Sequence, residues 1–416
     1  MSSATLIHEV HDMWPATLIE LGGMSRKNPF VAAMQISENS AYSKSDKVVS
    51  IPPYTETYMK HHGLREGRFV HIPNGAAKEE WEDAKELPDT VKNRLEILKE
   101  SGKFIVGYFG GHAMSNALDV LLDGAKTFLD NRRIVFVLVG KGVEKKRLEE
   151  RCKNETIQNV IFLDAVEKKC IPNLVAYFDC VYMGTLESPL YRFGLGLNKF
   201  YDAMMAGKPI VLSATVPETI IEKYNCGIVV PSGDLTKIHN AIERIYRMQP
   251  EERRKLGNNG KTAVENNFMY HKLAGDFENI VGNHTKNILL INHYAGSPEL
   301  GMEFRPYYFA REWVKVGYRV DIIAADYSHL RIKNPKISRD FEEEIIDGIH
   351  YHWIHTGTYE GNGIKRALTM FQFVGKIWLH AKWISRELKP GVIITSSTYP
   401  LDTYAGQRIK KYSGGY

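Results

Sequence analysis

The chain of 416 residues is short of several things, and each shortage excludes a class. It has four cysteines, Cys152, Cys170, Cys180 and Cys226; none forms a CxxC pair or sits beside a plausible His or Cys ligand set. That spacing argues against a zinc site and for reduced thiols in a cytosolic protein. No apolar run approaches the ~18 residues of a spanning helix. The opening MSSATLIHEV lacks both the basic and the apolar region of a secretory signal. Charge of one sign is scarce too. Lys plus Arg number 54 and Asp plus Glu 49, a net +5 that is thin for a nucleic-acid binder. Neither GxGxxG nor GxxxxGK[ST] occurs, which removes the ordinary dinucleotide fingerprint and the P-loop. Repeats and low-complexity tracts are missing as well.

What is present is alternation. Strand-sized apolar runs and helical patterns follow one another almost throughout, the signature of α/β architecture with parallel sheets. At roughly 150 residues per domain the length predicts two or three domains. Residues 92–265 read as one complete doubly wound domain, from FIVGYF through IVFVLV to the helix over 236–247. A second set starts at NILLIN (287–292) and stops with a helix near 412. Its missing strands lie at the other end, over 6–10, 47–51 and 69–72. Short connections favour joining residue 416 to residue 1, which completes a second Rossmann-like domain from 1–91 and 287–416. The expectation is a circular permutation, with residues 266–286 as crossover helix and linker and 282–286 (GNHTK) as the join. The alternative is a chain of two dissimilar α/β halves in ordinary order.

Several segments carry candidate chemistry. Gly110-Gly111-His112 follows strand FIVGYF, where backbone N–H groups can approach an anion near a helix N-terminus; a plain tight turn is the alternative. The loop AGSPELGM, with Gly301, is its counterpart in the other domain, and the two would face each other across a cleft. The segment ESPLYRFGLGLNKFYDAMMAGKP gathers Glu187, Arg192, Asn198, Lys199 and Asp202 in a Gly-broken loop and the following helix. Arg192 and Lys199 suit a diphosphate. Asn198 and Asp202, one helical turn apart, suit one ligand, with the carboxylate on ribose hydroxyls. A solvated helix face with an ion pair is the bland reading.

At the start, HEVHDMWP puts His8, Glu9, His11, Asp12 and Trp14 at the carboxyl end of a strand, where open α/β sheets bind ligands. Strand alternation turns His8 and His11 to opposite faces, which argues against a metal. His11 and Asp12 are candidates for substrate contact or proton handling, and His293 has a comparable position. The helix from Lys365 to Leu388 mixes basic and aromatic residues. It fits either a membrane surface or a core helix with a snorkelling polar face.

Together these stretches resemble the retaining glycosyltransferases of family four, in rotated order. The matching segments are YFGGHAMSNALDVLL, FVLVGKGVEKKRL, NVIFLDAV, ESPLYRFGLGLNKFYDAMMAGKPIV, CGIVVPSGD, HEVHDMWP and GMEFRPYYFAREWVKVGYRV. HDMWP with LYRFGLGLNK looks most like the bacterial surface-polysaccharide subgroup, which includes N-acetyl-fucosamine transferases. The resemblance implies the GT-B fold of two facing Rossmann-like domains. It also implies a nucleotide-sugar donor, most often UDP-linked, held by residues 92–265, and a glycan or lipid-linked acceptor. No cofactor or metal is implied. The second acid of the family's E-x7-E motif falls on Asp202. The first falls on Gly194, so the sugar contact would pass to Glu187 or Asn198. The family's basic pair after the first Gly-rich strand is missing, which leaves Arg192 and Lys199 for the phosphates; the family's amino-terminal His maps to His11. A cytoplasmic location follows, peripheral at the inner membrane face if the basic-aromatic helix touches lipid. The competing expectations are a catalytically idle GT-B module that binds sugar nucleotide and a GT-B nucleotide-sugar epimerase.

Overall fold

The computed structural model describes residues 3–281, 286–302, 304–361 and 363–414. Fourteen strands occur among them: β1 (Thr5–Val10), β2 (Lys47–Ser50), β3 (Phe69–His71), β4 (Phe104–Phe109), β5 (Ile134–Val139), β6 (Val160–Leu163), β7 (Cys180–Gly184), β8 (Ile210–Ser213), β9 (Gly227–Val230), β10 (Asn287–Ile291), β11 (Arg319–Ala325), β12 (Glu342–Ile346), β13 (Ile349–Ile354) and β14 (Val392–Thr395). The chain divides into two compact units, residues 1–73 with 270–416 and residues 74–269.

The continuous unit carries a six-stranded parallel sheet in the order β6-β5-β4-β7-β8-β9. Counted from β4 this is 3-2-1-4-5-6, the doubly wound order, and its switch point lies between β4 and β7. Buried on both faces, β4 and β5 are unbroken apolar runs. Gly107 in β4 has a packing reason, because a Cβ there would lie 2.0 Å from the Phe178 ring.

The discontinuous unit has eight strands ordered β12-β13-β11-β10-β14-β1-β2-β3. Only the edge pair β12–β13 is antiparallel. Counted from β10 through β14 and then β1 to β3, the order is 3-4-2-1-5-6-7-8, so the sheet grows outward in both directions from β10. The first strand of the chain thus pairs with the last, Thr5 with Val392 through His8 with Thr395. Ala4 N donates to Ser413 Oγ at 3.0 Å. The outermost residues, 1, 2, 415 and 416, and 282–285 of the expected join lie outside the described residues.

The unit boundaries differ from those expected at 91/92 and 265/266. Residues 74–91 go with the continuous unit because Leu87 and Val91 enter its core, beside Leu95, Leu98 and Ile105, and Ala76 N donates to Phe268 O at 2.9 Å. Helix Tyr270–Val281 belongs to the other unit, where Phe277 packs on Phe309 and Trp313. Helix Pro29–Lys44 has no counterpart in the sequence reading. Its buried positions include Ser37 and Glu38 beside Val31, Met34, Ala41 and Tyr42, so no clean apolar stripe marks it.

Candidate functional site

In the continuous unit, β4 ends at the switch point and hands over to Gly110-Gly111-His112. Gly110 has φ +125°, a conformation that favours glycine. A Cβ on Gly110 would lie 3.1 Å from Lys199 Cδ, so the loop and the start of helix Asn198–Met205 touch. Lys199 Nζ donates to Asn116 Oδ1 at 2.9 Å and to Tyr108 Oη at 3.3 Å, and sits 4.6 Å from the Tyr108 ring centroid. Tyr108 Oη and Asn116 Nδ2 in turn both donate to Gly111 O, at 2.6 and 3.0 Å. The structure therefore brings Gly110, Gly111 and Lys199 of the sequence candidates together, with Tyr108 and Asn116 beside them. Only Tyr108, a hydroxyl-bearing residue one position before the end of an apolar strand, left a trace in the sequence.

The electrostatics of this cluster are unusual. Among the described residues the acceptors of the Lys199 ammonium are neutral oxygens, and burial pulls its pKa down to about 8. A half-buried cation with neutral partners, a left-handed Gly turn and a helix N-terminus together make a cradle that could receive an anion.

His112 does not line that cradle. Its ring is wholly buried, 5.8 Å from Tyr108 and 6.0 Å from Phe162, and both ring nitrogens lack a partner among the described residues. Burial, with Lys145 and Lys199 nearby, lowers its pKa to about 4, so it is neutral. Its backbone is clamped instead: His112 N donates to Lys141 O at 2.8 Å. A Cβ on Gly140 would lie 1.9 Å from Gly110 O, which explains the small residue in VGKG.

The remaining residues of the segment scatter. Asp202, on the same helix as Lys199, is buried, and both its oxygens accept from Lys168 Nζ at 2.6 and 2.7 Å, with Glu80 3.6 Å from the same nitrogen. Asn198 is exposed. The two do not present a shared ligand face, because the Lys168 pair holds the Asp202 carboxylate inside. Arg192 lies on the turn Pro189–Phe193, donating to Pro189 O at 2.5 Å with its guanidinium 4.2 Å from the Phe193 centroid. Glu187 is exposed. Gly194 follows at φ +82°.

In the discontinuous unit, Glu9 and His11 share one strand face, as alternation requires, and His11 Nε2 lies 2.8 Å from Glu9 Oε2. Arg305 Nε donates to Glu9 Oε1 at 3.0 Å, and its other nitrogens donate to Pro73 O at 2.6 Å and Ile72 O at 2.9 Å. Burial alone would raise the Glu9 pKa, but Arg305 and His11 hold it down at about 2. On the opposite face, His8 Nδ1 meets Thr395 Oγ1 at 3.0 Å. Asp12 is exposed. Asp402 is buried, accepts from Ser397 N at 2.9 Å, and has its pKa raised to about 7 by burial. Arg305, the anchor of this set, was not among the expected site residues, since its partner Glu9 is 296 residues away in the chain.

Gly301 belongs to this unit and not to the one that holds Lys199. It has φ +98°, and its N–H donates to Ser297 O at 2.8 Å. Buried Arg331 stitches the loop by donating to Ala295 O and Ala325 O. One group with metal-ligand chemistry occurs among the described residues, Asp321, Glu343 and His352. Arg319 already grips both oxygens of Asp321 at 3.0 and 3.1 Å, and His352 donates to it at 2.8 Å, so the group reads as an ion-pair network.

Residues 103–248 match the family model described as Glycosyl transferases group 1. HepE of Anabaena, solved in complex with UDP and glucose, superposes with TM-score 0.51 at 18% identity, covering 66% of this chain and 70% of its own. Two Rossmann-like units in one chain and this likeness decide the architecture. The fold is GT-B. Sucrose-phosphate synthase from Thermosynechococcus elongatus gives TM-score 0.52 at 19% identity, with 65% of each chain covered. WaaG, a glycosyltransferase involved in lipopolysaccharide biosynthesis, gives TM-score 0.50 at 15% identity, covering 68% of this chain and 76% of its own. No curated protein sequence matches. The model match lies wholly inside the continuous unit and contains Gly110, Gly111 and Lys199.

Proposed function

We propose that the protein is a retaining glycosyltransferase that takes a sugar from a nucleotide-sugar donor, UDP-linked in keeping with the UDP bound by HepE, and passes it to a glycan or lipid-linked acceptor in surface-polysaccharide synthesis. The observation that carries this reading is the Lys199 ammonium, held by neutral oxygens over the Gly110-Gly111 turn at the switch point of the matched domain. Breaking the anomeric bond leaves a diphosphate and an oxocarbenium-like sugar, and both need charge stabilisation. Lys199 and the Gly-loop amides supply it to the departing diphosphate, and Arg192 extends it from the neighbouring turn. His11, oriented by Glu9, and Asp12 are the acceptor-side candidates. Retention without a protein nucleophile implies front-face attack: the acceptor oxygen bonds to the anomeric carbon as the C–O bond to the diphosphate breaks, and the acceptor proton passes to a departing phosphate oxygen. No metal enters this scheme. A lipid-linked acceptor would bring the protein to the inner membrane face, with the helix from Lys365 to Leu388 as the touching element.

A circularly permuted family-four architecture belongs to the same proposal. Its support is the strand order, in which β1 to β3 continue outward from β14. The N-acetyl-fucosamine transferase subgroup, suggested by HDMWP and LYRFGLGLNK, is the donor-sugar hypothesis.

Calorimetry with UDP and a transfer assay over a panel of nucleotide sugars test the reading. UDP binding with transfer from one donor is the expected result; binding to neither UDP nor GDP would defeat it. The second reading, an idle module that binds sugar nucleotide, is favoured by two observations. Gly194 stands where the family has an acid, and Asp202 is engaged by Lys168. UDP binding without transfer from any donor would select it.

A further inference from the structure

The turn Met114–Asn116 follows Gly110-Gly111 and runs past the switch point toward β7, where a Cβ on Gly184 would lie 3.4 Å from Asn116 O. Asn116 is half-buried and sets its amide between two groups of the cradle. Its Oδ1 accepts from Lys199 Nζ at 2.9 Å, and its Nδ2 donates to Gly111 O at 3.0 Å. The Tyr108 hydroxyl makes the same pair of contacts, accepting from Lys199 Nζ at 3.3 Å and donating to Gly111 O at 2.6 Å. A closed ring of hydrogen bonds results, and every bond in it ends on the Lys199 ammonium or the Gly111 carbonyl.

The chemistry of position 116 is narrowly set. The side chain must accept from a cation and donate to a carbonyl at once, which an amide does and neither a carboxylate nor a hydrocarbon does. A carboxylate of the same size would repel Gly111 O and neutralise Lys199, while a hydrocarbon would release both. The backbone that follows is set too. Ala117 is buried and has φ +47° and ψ +42°, a left-handed conformation that a residue with a Cβ seldom adopts. It joins the turn to helix Leu118–Lys126, so the start of that helix fixes, against local preference, the direction in which Asn116 leaves the chain. Lys199 has no ion-pair partner among the described residues, and burial accounts for its lowered pKa.

We infer that Asn116 is a positioning residue, which holds the Lys199 ammonium over the Gly110-Gly111 turn and leaves its charge uncompensated for the diphosphate of the donor. It acts through Lys199 and supplies no charge of its own. The inference rests on the reading of Lys199 as the cation of the diphosphate and adds the residue that aims it.

The test titrates Lys199 by NMR in the full chain carrying isotope-labelled lysine, its signal assigned by its loss in Lys199→Met. UDP and uridine binding are measured by calorimetry on the same variants. Asn116→Asp places an opposite charge at hydrogen-bond distance, so the Lys199 midpoint should rise by about 1–3 pH units. The same variant should weaken UDP at least about tenfold and leave uridine unchanged, because the new carboxylate takes the cation from the phosphates. Asn116→Ala should weaken UDP about three- to tenfold, again sparing uridine. Tyr108→Phe keeps the ring beside the ammonium and should weaken it about threefold. An unmoved Lys199 midpoint in Asn116→Asp, or equal losses of UDP and uridine in Asn116→Ala, would overturn the inference. If the parent binds no UDP, the reading of Lys199 fails and the inference with it. If the parent binds UDP and Asn116→Ala binds it as tightly, the positioning role alone fails.

Discussion

Each of the two doubly wound units holds an enclosed cation near the carboxyl ends of its strands, and the two cations are handled in opposite ways. Arg305 is matched by the Glu9 carboxylate and two backbone carbonyls, while Lys199 has, among the described residues, an amide oxygen and a phenol oxygen. A cation already matched by an anion is part of the framework. One matched by neutral dipoles still has charge to give, and its depressed pKa records the cost of waiting. The contrast supports reading Arg305 as a framework charge and proposing Lys199 as the phosphate ligand, although buried Arg331, held by the carbonyls of Ala295 and Ala325, is a structural cation with neutral partners too.

The sharpest way to break this contrast is Arg305→Ala. It strands the buried Glu9 carboxylate and should cost about 3–5 kcal/mol, read as a large drop in the urea midpoint. Arg305→Met with Glu9→Gln, which removes both charges, should recover much of that. A single variant as stable as the parent would end the framework reading. Lys199→Ala should do the reverse, leaving the fold intact and weakening UDP roughly 10- to 100-fold while uridine changes little. Equal losses for UDP and uridine would remove Lys199 from the diphosphate.

Titration sharpens the same point. The folded pKa of Lys199 is about 8, below its ordinary 10.5. Below pH 8 it is charged in both folded and unfolded states and disfavours folding; that penalty fades as pH rises from 8 toward 10.5. Lys199→Met should therefore be more stable than the parent at pH 7, by on the order of 1 kcal/mol since the side chain is only half-buried, and the gain should vanish near pH 10. UDP affinity should fall as pH rises through 8, and the Met variant should lack that dependence. The smallest effect is expected at Arg192, exposed on its turn. Arg192→Ala should weaken UDP by about threefold, with uridine unaffected. A loss as large as that of Lys199→Ala would move the phosphate site toward the 189–193 turn.

Much of this was legible from local signals. Apolar runs marked the strands, and the Gly pair after β4 and Lys199 in the Gly-broken segment 187–209 were each singled out as anion-binding candidates, though not together. What escaped were pairings across long stretches of chain. The Lys168–Asp202 pair, which takes the expected ribose carboxylate inside, joins two loosely patterned helical segments, and nothing in either predicts the other. His112 looked like a surface ligand because its neighbours are glycines; only the packing of Phe162 and Tyr108 shows why the ring turns inward. The unit boundaries missed by some 18 residues at the first edge for a similar reason: the amphipathic helix Asp89–Glu100 can serve either unit until its core partners are known.

The pairing of β1 with β14 also governs the order in which this chain acquires structure. The unit of residues 74–269 is continuous and can condense as soon as it leaves the ribosome. The other sheet cannot close until β14 has been made, because β1 lies between β2 and a strand nearly 400 residues later. Throughout that interval β1 keeps an open edge that any passing strand could pair with. Synthesis therefore sets a long delay between β1 and its last neighbour, and refolding should show a fast phase from the continuous unit and a slow one from the closing of this sheet.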